Sequence, residues 1–264
     1  MARVVVLGAG ISGHTAATIL RRKLSKEHQV IVVTPKSYWN WIPSNIWVGV
    51  GLMKSEDVCF SLQKIYDKIG VDYIQASATA IYPEGTSPEN KPYIEATSTV
   101  QGREGEVHKI EYDYLINATG PKLNFAATEG LGPEKYTYSV CTASHATESA
   151  KKLAEIIEQM KQGHKKKIIV GSGHGLCTCQ GAAFEYVFNV EYELRRHKVR
   201  DKAEITFLTN EYELGDFGIG GAHFKRGGYY IHSKVFAESL YAERGIRWVK
   251  RAHIQKVDAQ KVYF

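Results

Sequence analysis

The stretch Gly8-Ala9-Gly10-Ile11-Ser12-Gly13 decides the fold of the first part of the chain. It follows an apolar β-branched run at residues 3–7 and precedes helical spacing over residues 15–24, with a second apolar run at 30–33. In this G-x-G-x-x-G pattern the glycines permit a tight turn, the approach of a pyrophosphate and close helix-strand packing, while the helix amino terminus favours an anion. We predict a dinucleotide-binding β-α-β unit; a glycine turn that serves packing alone is the alternative.

The acidic residue that usually binds the ribose is missing, because Val32-Val33 is followed by Thr34-Pro35. Backbone groups or the Thr34 hydroxyl would have to bind the ribose instead. This departure argues against NAD more than against FAD at the first unit.

Composition excludes several classes of protein. A chain of 264 residues has room for two α/β domains and carries no apolar run of about 18 residues, so any membrane contact is expected to be peripheral. The formal net charge is +6, and the basic residues are scattered along the chain except for the run at residues 165–167. We interpret that run as the solvated start of a strand rather than as a nucleic-acid site. Cysteines 59, 141, 177 and 179 are too few for the disulfide framework of a secreted protein. We also predict no metal site and no removable secretion signal.

A second β-α-β pattern begins after the border at Ala118-Thr119-Gly120-Pro121. Segments near 79–82, 92–96 and 107–111 predict an antiparallel meander before that border, with residues 1–120 as one domain and 121–264 as the other. In the second domain we expect a helix from Ser144 to Gln162, capped by Ser144, and a strand at 168–170. The fold class is therefore α/β.

The second glycine-rich turn, Gly171-Ser172-Gly173-His174-Gly175-Leu176-Cys177, has leucine at the position of the third glycine. The strand predicted at 205–209 also ends without an acidic residue, so a working NAD site is not expected here. Cysteines instead stand at a helix amino terminus, where the helix dipole favours a reactive thiolate.

These features together resemble the sulfide:quinone oxidoreductase family, within the FAD-dependent pyridine nucleotide-disulfide oxidoreductase superfamily. The most specific match to this family is the segment Tyr38-Trp39-Asn40-Trp41-Ile42-Pro43-Ser44-Asn45-Ile46-Trp47-Val48-Gly49-Val50-Gly51. Further matches are Tyr112-Asp113-Tyr114-Leu115, the domain border together with Lys122, and the residues around the two matching cysteines. The resemblance implies two Rossmann-like domains, as in glutathione reductase, with FAD across the first. It also implies that sulfide attacks a redox-active disulfide, that FAD accepts two electrons and passes them to quinone, and that the product is zero-valent sulfur or polysulfide.

The resemblance also assigns residues. Cys141 and Cys179 match the family's cysteines, Cys177 is an extra thiol that replaces or assists Cys179, and Cys59 has no such context. His145 matches a family histidine that is implied to take part in proton transfer, although an exposed histidine at the start of a helix can also have no function. At the position where the family has a second histidine, this chain has Asp216. Trp39 and Trp41 match positions where the family has aromatic residues near the flavin and the quinone pocket. Packing alone is the alternative explanation for both. FAD contacts are implied at Gly8, Gly10, Ser12, Gly13, Thr34, Pro35, Ile42, Ser77, Ala78, Thr119 and Gly120.

The family continues beyond the length of this chain, with a third cysteine, a returning segment of the FAD domain and amphipathic helices that rest on the membrane. We therefore expect a fragment that ends in an unpartnered apolar strand at residues 261–264 and that binds FAD weakly. The resemblance further implies peripheral association with a prokaryotic cytoplasmic membrane and allows a homo-oligomer.

Three other functions remain open. A flavoprotein subunit of a sulfide dehydrogenase would pass electrons to cytochrome c, and a type II NADH dehydrogenase would need a better second fingerprint. A redox-sensing homologue without turnover is the non-catalytic alternative, supported by Asp216 and Cys177.

Overall fold

The computed structural model describes residues 1–87, 91–172 and 180–264. Two units divide the chain: unit 1 holds Met1–Asn40 and Cys59–Leu123, and unit 2 holds Trp41–Val58 and Asn124–Phe264. The sequence indicated one border, between residues 120 and 121. In the structure the chain passes from one unit to the other three times, because residues 41–58 belong to unit 2.

The elements up to residue 123, in chain order, are β1 (Arg3–Leu7), α1 (Ile11–Lys23), β2 (Gln29–Thr34), β3 (Tyr38–Asn40), α2 (Asn45–Val48), α3 (Ser55–Val58), β4 (Cys59–Ser61), α4 (Leu62–Ile69), β5 (Asp72–Tyr82), β6 (Tyr93–Ser98), β7 (Val107–Glu111) and β8 (Tyr114–Asn117). The later elements are α5 (Ala143–Lys161), β9 (Lys166–Gly171), α6 (Gln180–Arg196), β10 (Ala203–Leu208), β11 (His223–Arg226), β12 (Tyr229–His232), α7 (Ser233–Glu243), β13 (Arg247–Val249), β14 (Lys256–Val257) and β15 (Val262–Tyr263).

Unit 1 is built on a sheet in the order β7-β6-β5-β2-β1-β8. The strands β5, β2, β1 and β8 run parallel, while β5, β6 and β7 pair antiparallel, which confirms the predicted meander. Alternate residues of β1 and β2 bury opposite faces: Val6 and Val32 pack with α1 and α4, and Val5 and Val33 pack towards β6 and β7. The two apolar runs of the first β-α-β unit thus become central strands.

Unit 2 has a parallel sheet in the order β13-β10-β9. Its core joins β10 to the apolar faces of α5, α6 and α7 and includes Ile205, Phe207, Leu194 and Tyr241. Parallel strands packed against helices thus occur in each unit, in a mixed sheet in unit 1 and in a fully parallel sheet in unit 2, and the predicted α/β class is confirmed.

Several local predictions need correction. Helix α5 is capped by Thr142, whose Oγ1 accepts a hydrogen bond from the amide of His145 at 3.2 Å, so Ser144 lies inside the helix rather than at its cap. Strand β15 is not unpartnered, because Val262–Tyr263 pairs antiparallel with Lys256–Val257. The segment predicted near 79–82 is the end of the longer strand β5, which begins at Asp72 and continues through a bulge between Ala78 and Ala80.

The antiparallel pair β3–β4 and the hairpin β11–β12 were not predicted. Among the described residues, no helix combines the length and the apolar character that crossing a membrane requires.

Candidate functional site

The turn between β1 and α1 admits only glycine at two of its positions. Gly8 has φ +90°, and a Cβ placed on it would lie 2.4 Å from the carbonyl oxygen of Ala118, at the end of β8. A Cβ on Gly13 would lie 2.0 Å from the carbonyl oxygen of Gly8. Both obstacles are backbone atoms, so no side chain can move aside to relieve the contact.

Gly10 is different, because a Cβ there would meet no atom within 4 Å. Gly10 is the N-cap residue of α1, and no side chain caps the helix. The amide groups of the first turn therefore open towards the space in front of Gly10, with Ser12 exposed beside them. Such a cradle suits the pyrophosphate of a dinucleotide, because the amides and the helix dipole both attract an anion.

The other FAD-contact residues predicted in unit 1 gather at the same end of the sheet. Thr34 ends β2 and is buried, Ser77 and Ala78 follow the β5 residues that pair with β2, and Thr119 and Gly120 follow β8. Because β1, β2, β5 and β8 are parallel, their carboxyl ends meet at one edge, where open α/β sheets bind their ligands. Ile42 belongs to unit 2 and is half exposed.

The turn after β2 is fixed by two hydroxyl groups that the sequence analysis did not single out. Thr99 Oγ1 donates to the carbonyl of Pro35 at 2.8 Å, and Tyr73 Oη donates to the carbonyl of Lys36 at 2.6 Å. Burial raises the pKa of Tyr73 to about 12, so the phenol stays a donor. The turn without an acidic residue is thus ordered by its neighbours.

His14, in α1, is a further residue that the motif did not reveal. Its Nδ1 lies 3.1 Å from Tyr66 Oη, and its ring centroid lies 5.5 Å from that of Trp39. Burial lowers the pKa of His14, which favours the neutral ring. Trp39 also contacts Phe60, at 6.0 Å between ring centroids, so packing accounts for the surroundings observed for Trp39.

In unit 2, Cys141 is exposed immediately before α5. Its amide donates to Ser139 Oγ at 3.1 Å, and the next residue, Thr142, caps the helix. His145 lies in the first turn of α5, with its ring centroid 5.8 Å from that of Phe125. Its Nδ1 is buried and has no hydrogen-bond partner among the described residues.

Cys177 and Cys179 lie outside the described residues, as does most of the second glycine-rich turn. Cys59 lies in β4 of unit 1 and is partly buried. Within the part of the chain that the structure describes, no group of three or more His, Cys, Asp or Glu side chains is arranged to hold a metal ion.

Residues 41–58 are anchored within unit 2 by helix α6. Tyr186 Oη donates to the carbonyl of Gly49 at 3.0 Å, and Asn189 Nδ2 donates to the carbonyl of Ile46 at 3.4 Å. A Cβ on Gly49 would lie 2.7 Å from Val140 Cγ1 and 2.9 Å from Tyr186 Cε2. Gly49 of the narrow sequence signature therefore lets this segment pack beside the residue that precedes Cys141.

Asp216 organises the loop in which the family resemblance places a histidine. Its Oδ1 accepts the amide of Gly220 at 2.6 Å, and its carbonyl accepts the amide of Gly221 at 3.0 Å. Glu211 supports the same loop by accepting the amide of Phe217 at 2.6 Å, and burial raises the pKa of this carboxyl. Asp216 thus has a structural role in this loop.

Comparison with known proteins decides the family. The sequence model of the family described as "Pyridine nucleotide-disulphide oxidoreductase" matches residues 2–203. The chain belongs to this family. A sulfide-quinone reductase of Aquifex aeolicus is 33% identical over 261 residues, which cover 99% of this chain and 53% of the relative. A mitochondrial sulfide:quinone oxidoreductase of Dictyostelium discoideum is 26% identical over 78% of this chain and 41% of the relative. The chain spans about half the length of the curated relatives it matches.

Solved structures agree with the sequences. The sulfide:quinone oxidoreductase of Aquifex aeolicus superposes with a TM-score of 0.79 and 32% identity, covering 99% of this chain and 54% of that one. NDH2 of Plasmodium falciparum, in complex with NADH, reaches a TM-score of 0.69 at 18% identity over 99% of this chain and 50% of that one, which shows the fold alone. The predicted resemblance and the predicted Rossmann-like fold are both confirmed.

Proposed function

We propose that this chain forms the FAD-binding and cysteine-bearing part of an enzyme that oxidises sulfide to zero-valent sulfur and passes the electrons to a membrane quinone. The observation that carries this proposal is the 33% identity to a sulfide-quinone reductase over 99% of the chain. Peripheral association with a membrane is part of the proposal, because a quinone substrate resides there.

The FAD site is assigned to the glycine cradle and the strand ends of unit 1. Gly8 and Gly13 shape the turn, and Gly10 and Ser12 face the pyrophosphate. Thr34, Pro35, Ser77, Ala78, Thr119 and Gly120 complete the contacts assigned in unit 1. When bound, FAD accepts the two electrons that are released as sulfide becomes zero-valent sulfur and delivers them to quinone. NAD fits less well, since β2 ends in Thr34-Pro35 without a carboxylate.

The sulfur chemistry is assigned to Cys141 and to Cys179, with Cys177 as the thiol that replaces or assists Cys179. Hydrosulfide attacks one sulfur of a disulfide between Cys141 and its partner, which leaves a persulfide on that cysteine and a thiolate on the other. His145 accepts the proton, since its Nδ1 is buried and without a hydrogen-bond partner among the described residues. A second hydrosulfide attacks the outer sulfur of the persulfide and leaves with it as HS–S⁻, so both cysteines become thiolates. Their return to the disulfide releases the two electrons that a bound FAD would accept.

Anaerobic addition of sulfide to the FAD-loaded protein tests the proposal, with absorbance in the flavin band as the signal. Loss of the band, recovery on addition of a soluble quinone and abolition of both by Cys179→Ala are the expected results. Cys59→Ala is the matched control and should behave like the parent chain. Absence of bleaching removes sulfide as the donor, reduction by NADH points to a type II dehydrogenase, and recovery with cytochrome c but not quinone points to the flavocytochrome alternative.

A further inference from the structure

A second surface of unit 2 has no part in the proposed chemistry. It is centred on the hairpin β11–β12, residues 223–232, and we term it the hairpin surface. Tyr229 and Tyr230 of the hairpin are 76% and 69% exposed, and all four residues of β11 are exposed as well. Both tyrosines lie on β12, and a cluster of large exposed side chains is more informative than a single one.

Cross-strand pairing distributes the aromatic and basic side chains over both faces. Arg226 pairs with Tyr229, and Lys225 pairs with Tyr230. Successive side chains of a strand point to opposite faces, so each face of the hairpin carries one tyrosine and one basic residue. Neither face is therefore a core face, and a two-stranded hairpin of this length is only marginally stable in water by itself.

Apolar groups outside the hairpin extend the surface. Phe224 lies 5.6 Å from Phe236 of α7 between ring centroids, and Phe236 and the preceding Val235 are both exposed. The result is a contiguous patch that continues from the hairpin onto the first turn of α7. Exposed apolar patches of this kind mark interaction sites on soluble domains.

The charge of the patch has one sign. Residues 217–236 contain three basic residues and no aspartate or glutamate. Lys234 forms an ion pair with Glu213 at 3.1 Å, whereas Lys225 and Arg226 form no ion pair within the described residues. Two cations without carboxylate partners therefore stand beside two exposed tyrosines at the tip of the hairpin.

Phenol rings and long basic side chains together are the groups that settle at a lipid-water interface. A tyrosine keeps its ring among the acyl chains and its hydroxyl in the headgroup layer, and lysine or arginine extends its charge to the lipid phosphates. A negatively charged membrane adds an attraction for each basic residue.

We propose that the hairpin surface docks on an anionic lipid bilayer, with Tyr229 and Tyr230 in the headgroup layer and Lys225 and Arg226 on the lipid phosphates. This inference goes beyond the proposed redox function and does not depend on it, because the contact needs neither flavin nor cysteine. It gives the chain a membrane contact within unit 2 itself.

Co-sedimentation with lipid vesicles tests the proposal. The 264-residue chain should bind vesicles of equimolar phosphatidylcholine and phosphatidylglycerol and should not bind pure phosphatidylcholine. Each basic residue near an anionic surface strengthens binding about fivefold, so Lys225→Gln with Arg226→Gln should weaken partitioning about 25-fold. Raising the ionic strength from about 0.1 M to about 1 M should release the parent chain, because the Debye length shrinks from about 10 Å to about 3 Å.

Matched variants separate the hairpin from general charge. Lys165→Gln with Lys167→Gln changes the net charge equally, at the entrance to β9, and should retain binding. Tyr229→Ser with Tyr230→Ser should weaken binding and abolish the blue shift of a fluorophore attached near residue 228, whereas Tyr114→Ser in unit 1 should do neither. Equal weakening by the two double variants that each remove two positive charges, or vesicle binding unaffected by the hairpin variants, overturns the proposal. A concentration-dependent dimer that the tyrosine variants dissociate would assign the surface to a second copy and overturn it as well.

Discussion

The glycine turn allows fold and cofactor binding to be separated by two single substitutions. Gly13→Ala places a Cβ 2.0 Å from the carbonyl oxygen of Gly8, whereas Gly10→Ala places one where no atom lies within 4 Å. Gly13 is buried between strand and helix, and Gly10 faces outward. The two variants add the same methyl group to one motif, so each serves as the control for the other.

The structure sets the expected magnitudes. Overpacking against backbone costs about 2 kcal/mol, and in a chain of this size that lowers Tm by roughly 4–8 °C. Gly10 has φ −71° and ψ −168°, a conformation that alanine adopts, so Gly10→Ala should keep or slightly raise the Tm of the flavin-free protein. Its methyl group occupies the space assigned to the pyrophosphate. Loss of one charge-assisted hydrogen bond, about 1.5–3 kcal/mol, raises the Kd for FAD by about tenfold to a hundredfold.

Two measurements are sufficient. Circular dichroism gives the Tm of each flavin-free variant, and calorimetric titration with FAD gives its Kd relative to that of the parent chain. We expect Gly13→Ala to lose stability and Gly10→Ala to lose FAD affinity at unchanged stability. Unchanged FAD affinity in Gly10→Ala would refute the cradle assigned to the first helix turn, and an unchanged Tm in Gly13→Ala would refute the close turn itself.

Three further predictions concern stability. Thr142→Ala should cost about 1 kcal/mol in urea unfolding, because it removes the cap of α5, whereas Ser144→Ala should cost a few tenths; equal costs would contradict the cap assignment. Lys250 and Lys234 hold the pKa of Glu213 down, from 4.5 to about 2, so this carboxylate stabilises the fold above pH 4.5 and the stabilisation is lost as the pH falls towards 2. The Tm deficit of Glu213→Gln should therefore shrink over that interval, and a constant deficit down to pH 2 would oppose this linkage. Tyr186→Phe leaves the carbonyl of Gly49 without its phenol donor and should cost about 1–2 kcal/mol, with faster amide exchange over residues 41–58 as the specific signature.

The sequence was most informative where the requirement was local. The glycines at 8 and 13 are needed because of atoms in their own β-α-β unit and in the adjacent strand end, so the motif predicted both the turn and its neighbours. The meander β5–β6–β7 was likewise predictable, since each strand pairs with the next along the chain. Gly227-Gly228 between two short β-rich runs was a hairpin signal that the sequence analysis did not use.

Non-local pairing explains most of the remainder. Strands β3 and β4 pair with each other although residues 41–58, which lie between them in the sequence, belong to unit 2. Each strand has only three residues, so its sequence pattern does not predict the pairing. Tyr186 and Asn189 are polar residues on the inner side of α6, and their partners at Gly49 and Ile46 lie more than a hundred positions earlier. Their role follows from the packing of α6 against that segment, which helical spacing alone does not describe.

The substitution at Asp216 shows how one departure from a family pattern changes a mechanistic argument. From the sequence, a missing histidine weakens the proposed proton route and favours a protein without turnover. In the structure, Asp216 binds the amides of Gly220 and Gly221 and so fixes the loop that precedes β11. This carboxylate is engaged with the backbone, and the proton transfer that we propose falls to His145, whose Nδ1 is buried and without a hydrogen-bond partner among the described residues. His145→Gln should therefore slow anaerobic flavin reduction by sulfide while leaving FAD affinity unchanged. Asp216→Ala removes the acceptor of the Gly220 amide and should disturb the loop, with little effect on the rate of flavin reduction. The opposite pattern would return the proton to the Asp216 loop and remove His145 from the chemistry.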